Sequence, residues 1–270
     1  MTTPYFRFLC LGSGSSGNCF IYQTPQGSLM IDAGIGIRKL TAYLLQYDIP
    51  ISSIKAIFLT HDHIDHIKSA ASLAKKYSLP IYATKEVWHG IDSNPVIRHK
   101  VAGEFRRFLT TDTVETCCGC SLKAFHVPHD SKGNVGYFIT WQDIRLCHIT
   151  DIGHITDTIL QHIERSEYLV IESNYDNDML MNGPYPYPLK MRIAGNNGHL
   201  SNTCAAETIF RHSHHLKHTW LCHLSENNNT PQHALDAMKD MFAQNHSHLD
   251  ITTFITVLKR TSPTGFFNLS

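Results

Sequence analysis

Residues 60–67 read THDHIDHI, with three histidines and two aspartates between His61 and His66, directly after the apolar run Ile57-Phe58-Leu59. The apolar run reads as a buried strand that delivers the chain to a loop. His61 and His63 alternate, so in extended chain both project to one side. Asp65 and His66 follow where the chain turns toward a helix. Four ligand groups can thus surround a small volume without long loops. Neutral imidazoles suit zinc, iron or manganese, and a carboxylate adds a hard oxygen ligand.

One segment cannot close a site for two metals. Three more candidates stand where polar residues follow apolar strands, a position where binding groups gather. They are His129 in HVPHD, Asp151 in HITDIG and His223 in WLCHLSENNN. Alone, each is as much a core or surface residue as a ligand; together with THDHIDHI they form one constellation. Two metals about 3.5–4 Å apart can share a bridging hydroxide and stabilise charge on attacking and leaving oxygens, which suits a phosphodiester.

The elements that must position these groups are legible in outline. Strand-like runs cover Tyr5–Leu11, Cys19–Gln23, Leu29–Asp32 and Ile54–Thr60, and a short one spans Ile81–Ala83. Later strands read over Ser121–Val127, Gly136–Thr140, Ile144–Thr150, Tyr168–Glu172, Thr219–Cys222 and Ile251–Leu258. Helical spacing marks Arg38–Gln46, His66–Tyr77, Thr156–Arg165, Cys204–His212 and Pro231–Ala243, the last with Thr230 as N-cap and Pro231 in its first turn. Strand clusters in both halves with interspersed helices suggest two sheets packed face to face with helices outside; the pattern by itself establishes mixed α and β.

Composition bounds the rest. The chain has 270 residues, 42% apolar and 17% charged, which suits one packed domain over residues 1–270. Lys+Arg and Asp+Glu both number 23, so the chain is not a globally basic nucleic-acid binder, while a local patch stays open. The outlier is histidine, at 19. Eight scattered cysteines do not form a disulfide framework, and Cys117-Cys118-Gly119-Cys120 reads as a reduced turn. FRFLCLG near the N-terminus is too short for a signal peptide or a membrane span, so the expected setting is a reducing cytosol, away from any membrane. The sequence carries no indication of oligomeric state.

LGSGSSGNC is a Gly/Ser loop between two strands; it opens no helix, so it is not a dinucleotide fingerprint, and it lacks the P-loop lysine. Its backbone N–H groups can form an anion nest. Ser13, Ser15, Ser16 and Asn18 are candidates to touch a phosphate or to support a metal ligand, with a plain tight hairpin as the alternative; Asn174 in ESNYD is a similar case, a contact to substrate or to a metal ligand. RHSHHLKH reads as a solvated helix end. Arg106-Arg107 and Lys75-Lys76 read as surface charges or backbone contacts to DNA, and YPYP over Tyr185–Pro188 as packing or base stacking.

The ordered set LGSGSSGNC, GSLMIDAG, THDHIDH, HVPHD, ITDIG, IESNYD, GPYPYPLKMRI, GHLSN and HLSENNNTP runs from Leu11 to Pro231. It resembles the metallo-β-lactamase superfamily and, within it, the YycJ/WalJ-type exonuclease family. Tyr175 stands after ESN, where the resemblance leads one to expect a histidine. The resemblance implies a four-layer αββα sandwich with the site at one edge of both sheets. It implies two divalent metal ions (zinc or manganese, with iron admissible). His61, His63 and His129 would hold the first, Asp65, His66 and His223 the second, and Asp151 would bridge them. Asp65 would also orient the nucleophile. His199 is the candidate general acid, since the resemblance brings its loop to the site, and His154 is the second candidate. The implied activity is 5′-to-3′ DNA exonuclease action in DNA repair in the bacterial cytoplasm. The rival reading is a hydrolase of a small cyclic phosphodiester, thioester or lactone with the same metals. A further rival is a metal-stabilised binding protein without turnover.

Overall fold

A computed structural model of the protein describes residues 4–212, 214–246 and 249–270. The chain opens with an antiparallel meander of β1 (Phe6–Gly12), β2 (Cys19–Thr24) and β3 (Gly27–Ile31). Crossovers through α1 (Ile37–Gln46), then α2 (Ile64–Ile67) with α3 (Ala70–Tyr77), then α4 (Lys85–Ser93) add β4 (Ile54–Phe58), β5 (Ile81–Thr84) and β6 (Arg106–Leu109) in parallel.

The second half repeats this plan. β7 (Val114–Cys117), β8 (Cys120–His126), β9 (Val135–Trp141) and β10 (Ile144–His148) form a meander. α5 (Asp157–Glu164) leads to β11 (Tyr168–Glu172). α6 (Asn177–Asn182), α7 (Tyr187–Ile193) and α8 (Asn202–His212) lead to β12 (His218–Cys222), and α9 (Pro231–Gln244) leads to β13 (Ile255–Val257), all parallel additions. β14 (Gly265–Leu269) then pairs antiparallel with β1 and completes the first sheet, ordered β14-β1-β2-β3-β4-β5-β6, against β13-β12-β11-β10-β9-β8-β7.

Three apolar layers hold four layers of structure together. Phe8, Phe20, Tyr22, Tyr137 and Trp220 meet between the sheets. Leu40, Leu44, Leu73 and Trp88 pack the first helix layer on its sheet, and Ile159, Ile209, Met238 and Phe242 the second. This is the αββα sandwich that the sequence leads one to expect. Its central layer is aromatic, with Phe8 and Trp220 ring centroids 4.7 Å apart; truncating such a ring costs about 3–5 kcal/mol.

Local differences have local causes. The helix expected over His66–Tyr77 is split, because Ser69 donates its N–H to Ala33 O and its hydroxyl to Ile35 O. That break ties the ligand-bearing turn α2 to the loop after β3. The strand expected over Ile251–Leu258 shrinks to Ile255–Val257, since Ile251–Thr253 form a 3-10 turn capped by Asp250. Helices α6 and α7 and strands β7 and β14 carry weak sequence signals: each is short, and α7 buries none of its residues; α4, capped by Thr84 and burying Val87, Trp88 and Ile91, is likewise not among the helices expected. Thr230 caps α9 by accepting from His233 N, with Pro231 in the first turn, as its sequence predicts. The CCGC cluster is the hairpin turn between β7 and β8, and its cysteines are free.

Candidate metal centre

Strand direction creates the site. β1, β3 and β4 run one way in the first sheet, as do β8, β10, β11 and β12 in the second. Their C-terminal ends bring loops to one edge of the sandwich. All seven metal-ligand candidates from the sequence lie there, drawn from the ends of β4, β8, β10 and β12. Ligand atoms of His61, His63 and His129 lie within 4.8 Å of one another, as do those of Asp65, His66 and His223. Asp151 joins His61 and His66 in a third such group, and His199, His223 and Glu172 in a fourth. Asp151 Oδ2 is 3.2 Å from His66 Nε2, and its Oδ1 is 3.6 Å from His129 Nε2. Asp65 Oδ2 lies 3.5 Å from His223 Nε2.

The outward ring nitrogens are fixed. His66 Nδ1 donates to Asp32 at 2.7 Å, and His223 Nδ1 to Glu172 at 2.9 Å. His129 Nδ1 donates to Gly198 O at 2.9 Å. His61 Nδ1 meets the Thr60 hydroxyl at 3.0 Å, and Thr60 in turn donates its N–H and hydroxyl to Asp32. Such anchoring turns each Nε2 inward and fixes its tautomer. His63 differs: its Nδ1 faces His129 Nε2 at 3.4 Å. His61 Nε2 and His223 Nε2 are buried without a hydrogen-bond partner. A buried nitrogen left so costs about 1–3 kcal/mol, and converging imidazoles with two carboxylates are the donor set of a divalent cation. The residues fit such a cation.

The backbone is bent to this purpose. Asp32, Asp151 and His223, each just past a strand end, have φ of 57°, 54° and 53°. Left-handed backbone is costly for residues other than glycine and persists where surroundings impose it. Here Asn134 Nδ2 donates to Asp151 O at 2.7 Å, and His223 N to Ser13 Oγ at 2.8 Å.

Charge balances internally. Burial pushes His61 well below the usual imidazole range and lowers His129. Burial would also lower His223, but Asp151, Asp65 and Glu172 raise it to about 10. His66 is likewise lifted, against burial, by Asp151, Asp32 and Asp65. Burial works to raise Glu172, yet His199 and His223 pull it to about 2. Its Oε1 is shared by His199 Nδ1 at 2.8 Å and His223 Nδ1, and Oε2 accepts from the N–H groups of Ile152 and Leu200. Glu172 and Asp32 are therefore central to the site, and sequence reasoning passed over both. Their signal was present: each is a carboxylate at the end of an apolar strand that no solvent-facing role explains.

The remaining sequence candidates divide. Ser13 and Asn18 are fully buried. Ser13 holds the His223 backbone, while Asn18 Nδ2 reaches Asp65 Oδ2 at 3.3 Å and His66 Nε2 at 2.9 Å. Of the two roles expected for these residues, contact to a phosphate or to a metal ligand, Ser13 and Asn18 make the second: they position metal-ligand candidates. Asn174, 6% exposed, donates to His223 O at 2.8 Å and also lines the cleft over the site. That cleft, ≈ 220 Å³, is bounded by Ser15, Tyr185, Arg192, His199 and His223 among others. Ser16 is exposed and faces a neighbouring concavity. His199 reaches the cleft; burial works to lower its imidazole, but Glu172 raises it above the usual range. His154 bonds Asn196 O at the exposed rim of another concavity, and Tyr175 lines that same concavity. Arg192, from α7, donates to Asp130 at 2.6 Å, and Asp130 Oδ1 is 3.3 Å from His129 Nε2. Of the RHSHHLKH histidines, His215 reaches His214 and Ile163 O, and His218, on β12, meets the Thr256 hydroxyl at 3.0 Å. Arg106 pairs with Asp92, on β6 at the sheet edge.

Comparison with known proteins agrees with the geometry. The beta-lactamase superfamily domain profile matches residues 28–223. An exodeoxyribonuclease WalJ of Streptococcus pneumoniae is 32% identical over 240 residues, 88% of this chain and 89% of that protein. An exodeoxyribonuclease YycJ of Bacillus anthracis is 32% identical over 224 residues, 83% and 84% of the two chains. Among solved structures, the metallo-beta-lactamase fold protein YhfI of Bacillus subtilis superposes with a TM-score of 0.72 at 16% identity, over 98% of this chain and all of that one. Zn(2+)-bound PqqB of Methylobacterium extorquens gives 0.70 at 17%, over 96% and 99%. These two likenesses speak for the fold.

Proposed function

This chain belongs to the beta-lactamase superfamily and is a metal-dependent hydrolase, and from that premise we propose that it is a 5′-to-3′ DNA exonuclease. The reading is carried by its near full-length similarity to two proteins named exodeoxyribonuclease. Its setting in this reading is DNA repair in the bacterial cytoplasm; eight free cysteines and the lack, among the described residues, of a helix long and apolar enough to cross a membrane are compatible with it.

His61, His63 and His129 would hold one divalent cation and Asp65, His66 and His223 a second, with Asp151 between them; zinc or manganese suits the donors, and iron is admissible. Such cations supply Lewis acidity, an activated water and charge screening for a phosphodiester. The protein's own groups do the rest. Asp32 and Glu172 hold His66 and His223 in place. Asp65 orients the attacking water. His199, whose imidazole Glu172 raises above its usual range, is the group that donates to the leaving oxygen. Ser15 and Asn174 line the cleft where a phosphate would sit, and Tyr185 offers a face for a base. A cleft of ≈ 220 Å³ suits a strand end. The whole of residues 1–270 serves as one hydrolase domain.

The rival is a small-molecule hydrolase acting on a cyclic phosphodiester, thioester or lactone; a zero net charge keeps it in contention. The test is manganese-loaded protein with a DNA duplex labelled at one 5′ end or the other, beside Asp151→Ala. Release of mononucleotide from the 5′ end, absent in the variant, is expected. Hydrolysis of bis-p-nitrophenyl phosphate without any DNA cleavage would overturn the DNA reading and favour the rival.

A further inference from the structure

A concavity of ≈ 520 Å³ adjoins the metal cleft, and its charged walls are all cationic: Arg38, Lys39, Lys68 and Arg260. No carboxylate lines it. In a chain with equal numbers of acidic and basic residues, this imbalance is local and needs a cause. Elsewhere several exposed cations pair with carboxylates, as in Arg106 with Asp92, Arg192 with Asp130 and Arg211 with Glu207, and others, such as Lys55 and Lys190, donate to backbone carbonyls; what sets this concavity apart is that four cations converge on it. Among the described residues no carboxylate pairs with any of these four. Lys39 Nζ donates to Thr261 O at 2.6 Å and Arg260 Nη1 to Ser225 O at 2.6 Å. Carbonyl partners orient these two heads without cancelling their charge. Arg38 and Lys68 are exposed.

The concavity and the metal cleft draw on the same loop. Ser15 lines the metal cleft and Ser16 lines this concavity, so the Gly/Ser loop is the wall between them. Ser225, which holds Arg260, lines the metal cleft as well. Lys68 follows His66 by two residues. The first turn of α1 also opens here, with Gly36 as N-cap, no side-chain cap and no acidic residue. Its free amides add a partial positive charge to that of the side chains.

We propose that this concavity binds the backbone of the nucleic-acid strand on the far side of the Gly/Ser loop from the metal cleft, gripping a phosphate next to the one being cut. The proposal rests on the DNA reading and gives it a physical source of affinity that net charge does not supply. It also assigns Ser16 to strand binding, through the wall it shares with Ser15.

The test is steady-state digestion of 5′-labelled DNA by the metal-loaded protein across a salt series, comparing wild type with Arg38→Gln/Lys68→Gln. Each phosphate contact contributes about 0.7 to the salt slope on a single strand. The double variant is expected to flatten the slope of log(kcat/KM) by about 1.4, with the loss in KM and kcat within about twofold. Lys75→Gln/Lys76→Gln removes the same charge from the outer end of α3 and is expected to leave the slope as in wild type. Should the double variant fold poorly, Arg38→Gln alone carries the test at half the slope change. An unchanged slope in a wild type that digests DNA would overturn the subsite, as would equal flattening by the Lys75/Lys76 pair. Loss of stabilisation by inorganic phosphate with no change in the DNA slope would assign the concavity to a free anion and overturn the strand reading. A wild type that cleaves bis-p-nitrophenyl phosphate but no DNA would instead fail at the proposed function, and the subsite would fall with it.

Discussion

The Asp32 carboxylate accepts from His66 Nδ1 at 2.7 Å, and both side chains are fully buried. Glu172 does the same for His223 at 2.9 Å from the opposite sheet. The two sheets thus each contribute a buried carboxylate that turns a histidine toward the same centre.

Removing the charge at either anchor should weaken metal binding without emptying the core. Loss of such an outer partner typically costs about 10–100-fold in metal affinity. Asp32→Asn and Glu172→Gln are each expected to fall in this range, read as metal content after titration with a competing chelator. Wild-type affinity in both would sink the anchoring role.

Gly34 is set by close approach. A Cβ there would stand 1.5 Å from Asp65 O, and the Gly34 N–H is already bonded to Asn18 O. Gly34→Ala must push the Asp65 turn away from the Gly/Ser loop. The expected result is a stability loss of about 1–3 kcal/mol or more, with reduced metal retention, measured by thermal melting and metal analysis. A variant that melts and binds metal like wild type would contradict the packing seen here.

His199→Ala should reveal its role through the leaving group. Loss of a general acid costs about 10²–10⁴-fold where the leaving oxygen needs a proton. On DNA, kcat is expected to fall in that range, whereas p-nitrophenolate, which leaves unaided, should be released at close to the wild-type rate from bis-p-nitrophenyl phosphate. Equal losses on both substrates would make His199 a positioning residue, acting through Glu172.

Acid should destabilise the fold at a site unrelated to the metals. Burial, with Arg165 and Lys123 nearby, holds His162 down to about 4, while its ring stacks on Phe125 at 4.1 Å. In the unfolded chain it titrates at about 6.5. Between these values the unfolded chain binds the proton and the folded chain does not. The stability is therefore whole above about pH 6.5 and is lost as pH falls from there through about 4. His162→Phe should reduce the loss between about pH 7.5 and pH 5 by about 1–2 kcal/mol, read from denaturant melts of both proteins. The metal-ligand candidates titrate alike in the two, so an equal loss in both would rule out His162 as the source.

Much of the centre was legible in the sequence for one reason: its ligand candidates follow apolar strands within short polar turns, and strand period and turn residues are local signals. His61, His63, Asp65, His66, His129, Asp151 and His223 could each be named before any fold was known. So could the helix-capping Thr230; the strand and helix signals established mixed α and β, and the four-layer sandwich followed from the family resemblance that the motifs carry. What only the tertiary structure decided depends on contacts between residues far apart in the chain. Asp32 and Glu172 look like ordinary strand-end acids until His66 and His223 are placed against them. Ser13 and Asn18 read equally as phosphate contacts or as supports of a metal ligand until burial commits their hydrogen bonds to His223 and Asp65. The cationic concavity draws on Arg38, Lys68 and Arg260, three segments with no common motif. Periodicity reports which face of an element is buried; it carries no information about which distant side chain will meet it, and that pairing is fixed only when the two sheets close on their shared aromatic core.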